Sequence, residues 1–461
     1  MGANRTGCPR SRKEVAGSLG PVGLVTYVSE RPAAHPPSPP AHRIMRFLHL
    51  ADVHLDTPFR GRSRELATRL REAGRAALVD AVEVAIRESA DAFLIAGDLF
   101  DGERLSWPSE RLLVESMERL LAAGIHPLYA TGNHDPGRGA GLRAGIAWPE
   151  GMTVFDESSP RRVAVEREGR PIGWVTGAGH EGPAEARDLS ATFPRPPGPL
   201  PEVALLHTQV LRSRGADSHD RYAPSSLDEL IATEYDYWAL GHVHLRQELS
   251  GDPAVHYPGN PQGRHPGESG ARGALLVDVE RGSPARATFV ELARVRWETL
   301  EAGDLRELGS WRALVDRITR RWEEARRPDP GLPGGEWIVR VELTGPSPLA
   351  SELARPDQLA ELEAELRAEL GALDLELRTS GLLPSHRPAE HRERVDVLGE
   401  ALRLLEAIEE GRLDDPAALL GIEPGELAGL EERDTGTYLR ELLQERAPAL
   451  METLLQPEAR G

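Results

Sequence analysis

Cysteine is almost missing from this chain: Cys8 is the only one. That excludes an intramolecular disulfide and a cysteine-based zinc site. Lysine is as scarce, with Lys13 alone, so nearly all basic charge is arginine. Asparagine occurs only at Asn4, Asn133 and Asn260. Such usage points to a GC-rich coding sequence, in which an arginine needs no functional reason and an asparagine is informative. No apolar run approaches the roughly 20 residues needed to span a bilayer. With no secretion signal visible, a reducing cytoplasm is the expected location, and no membrane partner is expected. Positive charge is short overall: 55 Lys and Arg stand against 74 Asp and Glu, a formal net charge of -19. That balance weighs against tight DNA binding by the chain alone. It does not exclude DNA, because bound metal ions add positive charge at a site, and a basic partner or a local arginine patch could carry backbone contacts.

What is present suits a globular protein. The 461 residues, 39% hydrophobic and 28% charged, can form two or three domains with sizeable cores. Residues 1–44, with prolines between Pro37 and Pro40, read as a disordered tail or an over-extended gene start. Glu14 and the prolines disfavour a transit peptide. Residues 45–294 alternate strands (46–51, 92–96, 127–130, 171–176, 202–206, 236–240, 273–279 and 286–292) with helices near 63–90 and 108–123. Alternation of this kind predicts an α/β layered fold. The proline-rich stretch 181–201 reads as a surface excursion, a candidate rim over the site. Over 295–380, a helix near 309–326, a strand at 337–343, a helix near 357–370 and a strand at 373–378 predict a small α+β domain. Gly381 to Pro388 reads as a linker, so 381–461 is expected to be linker and helices. There Val397, Ala401, Leu404, Leu405 and Ile408 share one helical face, and Leu439, Leu442, Leu443, Leu450 and Leu454 another. Ordinary packing is the simpler account of these faces, and partner docking the alternative.

Five motifs follow strands in order: Asp52-Val53-His54, Gly97-Asp98, Gly132-Asn133-His134-Asp135, His207, and Gly241-His242-Val243-His244. Loops beyond the carboxyl ends of strands are where α/β sheets place their sites. Each motif supplies oxygen or imidazole donors, and together they can fill two adjacent metal positions. Alternation at a strand end predicts that Asp52 and His54 reach one ion. Asp98 follows a glycine that lets the backbone turn, and its two oxygens can bridge two cations. One ion is assigned to Asp52, His54, Asp98 and His244, the other to Asp98, Asn133, His207 and His242. A water between the ions would be the nucleophile of a phosphoester hydrolysis. Mixed oxygen and imidazole donors suit Mn²⁺, Fe or Zn²⁺. His134 is the candidate to protonate the leaving group or hold the phosphate, with Asp135 orienting its ring. Taken singly these motifs are weak; five in order at strand ends are specific. His207 is the softest, since one histidine after an apolar strand is more often structural.

Other residues carry blander readings. His49 is expected to pack within the first strand, and His126 and His180 to lie in loops. Asp56 and Asp101 sit just beyond candidate ligands and could support them. Arg264, in the turn-rich string from Tyr257 to His265, is a candidate phosphate contact, with a structural loop as the default.

At these motifs the chain resembles the calcineurin-like metallophosphoesterases, among them the SbcD-type DNA repair exonucleases and their YhaO-like bacterial branch. The residues that carry the resemblance are Phe47 to Asp56, Gly97-Asp98-Leu99-Phe100-Asp101, Gly132 to Pro136, and Tyr257 to Arg264. The resemblance implies a four-layer sandwich of two sheets flanked by helices, with a manganese-dependent nuclease site. It also implies a capping domain over the DNA-binding face, C-terminal helices that dock on an SbcC-like coiled-coil ATPase, and a homodimer. A small-molecule phosphoesterase with the same metals is the competing expectation, because the core motifs alone cannot separate the two substrates.

Overall fold

The first strand, β1 (Met45–Leu50), sorts its side chains by strict alternation. Phe47 and His49 point between two sheets, while Leu48 and Leu50 point outward under helices. The computed structural model that shows this describes residues 44–101, 105–137, 146–215, 220–326 and 335–384, with a few isolated positions from 395 to 407. The tail expected over residues 1–44, apart from Ile44, lies outside the described residues. So do the helical faces expected at Val397–Ile408 and Leu439–Leu454.

After β1 come α1 (Arg64–Arg87), β2 (Ala92–Ala96), α2 (Trp107–Ala122), β3 (His126–Ala130) and β4 (Thr153–Phe155). The Ser63 side chain caps α1 by accepting from the Leu66 amide. Glu65 and Arg87 sit at the helix ends that suit their charge. At α2 a carboxylate from elsewhere supports the start: Asp56 accepts from the Ser106 amide at 2.6 Å and the Ser109 hydroxyl at 2.7 Å. Asp56 therefore holds a helix start, not a candidate ligand. His126 opens β3 and its ring meets the Thr153 hydroxyl, so it belongs to a strand pair instead of a loop.

The chain then forms β5 (Arg161–Arg167), β6 (Arg170–Ala178), β7 (Glu202–His207), α3 (Leu227–Ala232), β8 (Tyr237–Gly241), β9 (Gln247–Gly251) and β10 (Ala254–Tyr257). It returns with β11 (Gly273–Val279) and β12 (Arg286–Glu291). One six-stranded sheet has the order β12-β11-β1-β2-β3-β4, and the other β5-β6-β7-β8-β10-β9. Parallel pairing joins β1 to β2, β2 to β3, β6 to β7 and β7 to β8, so their carboxyl ends lie at one edge. The sheets face each other across Phe47, Leu94, Leu128, Val175, Val203, Leu205, Tyr237 and Ala239. Helices α1 and α2 cover the outer face of the first sheet. The outer face of the second is covered by α3 and the 181–201 stretch: Leu189 and Phe193 are buried there with Trp238 and Leu240. That stretch is therefore a packed layer and not a rim. The result is the expected α/β four-layer arrangement.

A third sheet follows, built from β13 (Val295–Ala302), β14 (Glu336–Ser347) and β15 (Asp374–Pro384), all parallel. Helices α4 (Trp311–Ala325), α5 (Ala350–Leu353) and α6 (Pro356–Leu370) close a core of their own with it. Its strand β15 runs through Gly381 to Pro384, paired with Gly345 to Ser347 and neighbours. Residues 381–384 are thus strand, where a linker was expected. The sheet joins the rest through Val295, Trp297 and Ile338, which pack on Leu66, Leu70 and Ala73 of α1. Gln262 binds it too: its side chain donates to the Val295 carbonyl and accepts from the Arg294 and Val295 amides. Among the described residues no helix is long and apolar enough to cross a membrane.

Candidate metal centre

The carboxyl ends of β1, β2 and β3 meet those of β7 and β8 at one edge, and the seven expected ligands come together there. They get there by backbone turns more than by strand alternation. Asp52 (φ 53°), His54 (φ 47°), Asp98 (φ 48°) and His242 (φ 103°) all adopt positive φ. Side chains disfavour that region, at a cost of roughly 1–3 kcal/mol per residue. The expected alternation of Asp52 with His54 is corrected accordingly: β1 ends at Leu50, and both residues turn into the site from the left-handed region. Close approach explains two glycines. A Cβ on Gly97 (φ 84°) would strike the His207 ring, and one on Gly241 would strike the Ala96 carbonyl oxygen.

Hydrogen bonds at the outer edge of three of the imidazoles fix which nitrogen faces the centre. His207 Nδ1 donates to the Ala96 carbonyl at 2.9 Å, so its Nε2 presents a lone pair. That Nε2 lies 3.0 Å from Asn133 Oδ1 and 3.5 Å from Asp98 Oδ2. His242 Nε2 donates to the Asp220 carbonyl at 3.0 Å, which leaves the lone pair of Nδ1 facing Asn133 Oδ1 at 3.2 Å and His207 Nε2 at 3.3 Å. His244 Nδ1 donates to Glu268 at 2.6 Å, so its Nε2 lone pair faces His54 Nε2 at 3.2 Å and Asp52 at 3.9 Å. Asp98 Oδ2 stands between the two groups, 3.6 Å from His54 Nε2 and 3.5 Å from His207 Nε2. Its Oδ1 accepts from the His134 amide.

Three imidazole lone pairs and two buried carboxylates thus converge, and a cation is the species that such a donor set accommodates. Electrostatics agree. Burial, reinforced by Asp98, pushes the Asp52 carboxyl well above the usual range. Burial also holds His54 and His207 well below the usual imidazole value, as neutral donors. The residues present fit two metal ions.

Beside this cluster His134 is the half-exposed member, its ring 4.8 Å from that of His54. Asp101, not Asp135, orients it: Asp101 Oδ1 is 2.7 Å from His134 Nδ1. That bond raises the His134 pKa. Asp135 instead accepts from the amides of Gly132 (2.6 Å), Leu99 (2.5 Å) and Asp98 (3.2 Å). The turn after Asn133 aims it at the main chain, so it braces two motif loops and cannot reach the neighbouring ring. Burial and the Asp98 charge push its carboxyl up to about 7.

One supporting residue escaped the sequence reading, and so did the role of the loop histidine His180. Glu268 is buried and receives His244 Nδ1, Asn260 Nδ2 at 2.8 Å and the Arg264 amide at 2.6 Å. Burial raises its carboxyl, but hydrogen bonds from His244 and His265 outweigh this and hold it well below the carboxylate range. No motif announces it; only its closeness to the Tyr257–Arg264 string could have. His180 is wholly buried in the loop after β6, and its Nε2 donates to the His207 carbonyl at 2.7 Å.

The calcineurin-like phosphoesterase family profile matches residues 45–246, and the profile of the middle domain of metallophosphoesterase YhaO matches 297–378. The chain is 33% identical to metallophosphoesterase YhaO of Bacillus subtilis, over 70% of this chain and 78% of that protein. It is 30% identical to the DNA double-strand break repair protein Mre11 of Methanopyrus kandleri, over 83% and 87%. It is 28% identical to the SbcD component of nuclease SbcCD of Rhodobacter capsulatus, over 72% and 86%.

Proposed function

The chain belongs to the calcineurin-like phosphoesterases, metal-dependent hydrolases of phosphoric esters, and from that premise we propose that it is a DNA nuclease using two Mn²⁺ ions. The observation that carries the hydrolytic reading is the convergence of imidazole lone pairs on Asp52 and Asp98. One ion is assigned to Asp52, His54, Asp98 and His244, and the other to Asp98, Asn133, His207 and His242. Ions held there supply charge stabilisation at the phosphoryl oxygens and an activated water. Fe or Zn²⁺ would suit the same donors. Asp101 keeps the ring of His134 oriented and favours its protonated form, so His134 gives its proton to the leaving oxygen. Asp135 acts by bracing the loops that carry Asp98 and Asn133.

DNA as the substrate is supported by the relatives named for nuclease activity and DNA repair. The third sheet supports it as well, since a small ester needs no added platform. In this reading residues 45–294 are the nuclease domain and 295–384, carried past the expected 380 by β15, a capping domain, and the C-terminal residues beyond it dock on an SbcC-like coiled-coil ATPase. The protein would work in DNA repair in the cytoplasm, as a homodimer. The net charge of -19 favours the second reading, a small-molecule phosphoesterase on the same site. Mn²⁺-dependent digestion of end-labelled linear DNA, beside a small aryl phosphodiester and with His134→Ala as the blank, tests the two. Cleavage of both substrates, lost in the variant, is expected. Cleavage of the aryl diester alone would leave the site and move the reading to a small-molecule phosphodiesterase, or to a nuclease that needs its ATPase partner.

A further inference from the structure

Arg264 is a partly enclosed arginine whose guanidinium is only loosely matched. Its side chain is 17% exposed, and its Nε is buried with no hydrogen-bond partner. Two carboxylates stand near it at ion-pair distance but beyond hydrogen-bond distance, and each holds other donors more closely. Asp101 holds His134 Nδ1 at 2.7 Å and the Thr57 hydroxyl at 3.3 Å, and meets Arg264 only at 3.5 Å. Glu268 holds His244 Nδ1, Asn260 Nδ2 and the Arg264 amide, and meets the guanidinium only at 3.7 Å. The remaining neighbour, His244 Nδ1 at 3.3 Å, offers no lone pair, because it donates to Glu268. Other arginines show what full pairing looks like here: Arg46 and Arg294 reach carboxylates at 2.6 Å, and Arg340 at 2.8 Å. A guanidinium carries five N–H donors in a fixed fork, and leaving one of them, Nε, shut away from water and unmatched is costly.

The position explains the shortage. The guanidinium is fixed between Asp101, which holds His134, and His244 of the candidate metal centre. The guanidinium thus stands beside the two histidines that border the His54 side of the site, with His134 reached through Asp101. We propose that Arg264 is a substrate-binding residue that grips a non-bridging oxygen of the phosphate on the His54–His244 side of the site. This rests on the phosphoesterase reading and adds to it a phosphate clamp from the chain's own side chains. Arginine suits the task because its fork can meet two phosphate oxygens at once, which a lysine ammonium cannot.

The test compares Arg264→Ala, Arg264→Gln and Arg264→Lys with the wild-type full chain loaded with Mn²⁺. Three quantities are read: inorganic phosphate affinity by calorimetry, bound Mn²⁺ per chain, and kcat/KM on an aryl phosphodiester and on linear DNA. A hydrogen bond to a charged group predicts roughly ten- to hundredfold weaker phosphate binding for Ala and Gln. Mn²⁺ content should stay unchanged, Lys should fall between, and kcat/KM should drop in like proportion on every substrate cleaved. Unchanged phosphate affinity, or a loss traced wholly to missing Mn²⁺, would overturn the clamp and leave Arg264 a support for Glu268. A wild-type protein that cuts only the aryl diester would remove DNA cleavage by the chain alone, yet phosphate affinity would still decide the clamp.

Discussion

The two sides of the metal centre are held by different means. On the His207–His242 side the outer nitrogens donate to main-chain carbonyls, those of Ala96 and Asp220, and His180 secures the His207 carbonyl. On the His54–His244 side the braces are carboxylates, Glu268 behind His244 and Asp101 behind the adjacent His134, while His54 Nδ1 is buried with no hydrogen-bond partner. A carbonyl brace comes with the fold and survives any side-chain change. A carboxylate brace adds negative charge, makes the imidazole a stronger donor, and can be deleted. The first side is fixed by the backbone, and the second is open to tuning.

The largest effect should come from the group the two sides share. Asp98 Oδ2 faces both, so Asp98→Asn should empty both metal positions and abolish hydrolysis. Bound Mn²⁺ per chain is the measurement, and two fully occupied ions in the variant would refute the bridge. Next in size is His134→Ala. It should keep Mn²⁺ but lose hydrolysis by roughly 10²–10⁴-fold, the usual contribution of a positioned acid. Equal loss of metal and activity would remove the acid role.

Glu268→Gln cuts across the comparison directly. The amide keeps the shape and removes the charge that braces His244. Affinity for one Mn²⁺ should fall about 10–100-fold, the usual effect of losing such a partner. The ion on the His207–His242 side should bind as before. A Mn²⁺ titration that resolves two classes of site reads this split. If both classes weakened together, the two sides would not be independent and the contrast would fail.

The same contrast explains what the sequence disclosed. Strands β2 and β11 were legible to their end residues, because they are short, mainly apolar runs between turns, β11 broken only by Asp278. The ligands were legible because each follows such a strand. Strands β5 and β9 were not, since they are sheet edges with mixed polar faces, and β13 mixes Glu298 and Glu301 with its tryptophan. The carboxylate braces stayed hidden because they join residues far apart in the chain: Asp101 with His134, and His244 with Glu268. Asp135 was given the brace role on sequence adjacency alone, and the turn sent it elsewhere. Ladders of local pattern can be read from one dimension; a carboxylate meeting an imidazole 24 residues away cannot.

A third kind of histidine gives the smallest and most controlled test. His49 sits three residues before Asp52 but has both nitrogens matched within the core. Its Nε2 donates to the Leu240 carbonyl at 3.1 Å, and its Nδ1 accepts from the Tyr237 hydroxyl at 3.0 Å. No lone pair is left over, so it has no reason to meet a metal. Burial, helped by the His256 charge, lowers its pKa to about 3, against 6.5 for an ordinary histidine. The unfolded chain therefore takes up a proton as pH falls below about 6.5, while the folded chain refuses it until about pH 3. Stability is full above that window and falls through it with decreasing pH, by up to about 1.4 kcal/mol per pH unit. His49→Gln cannot titrate, so between pH 6 and 4.5 its unfolding free energy should decline less steeply than that of the wild type, by up to that slope. The slope is the readout, because the substitution also changes packing and shifts the absolute stability. Equal slopes would mean that His49 is protonated inside the core, and that full hydrogen bonding does not separate structural histidines from those left facing the metal centre.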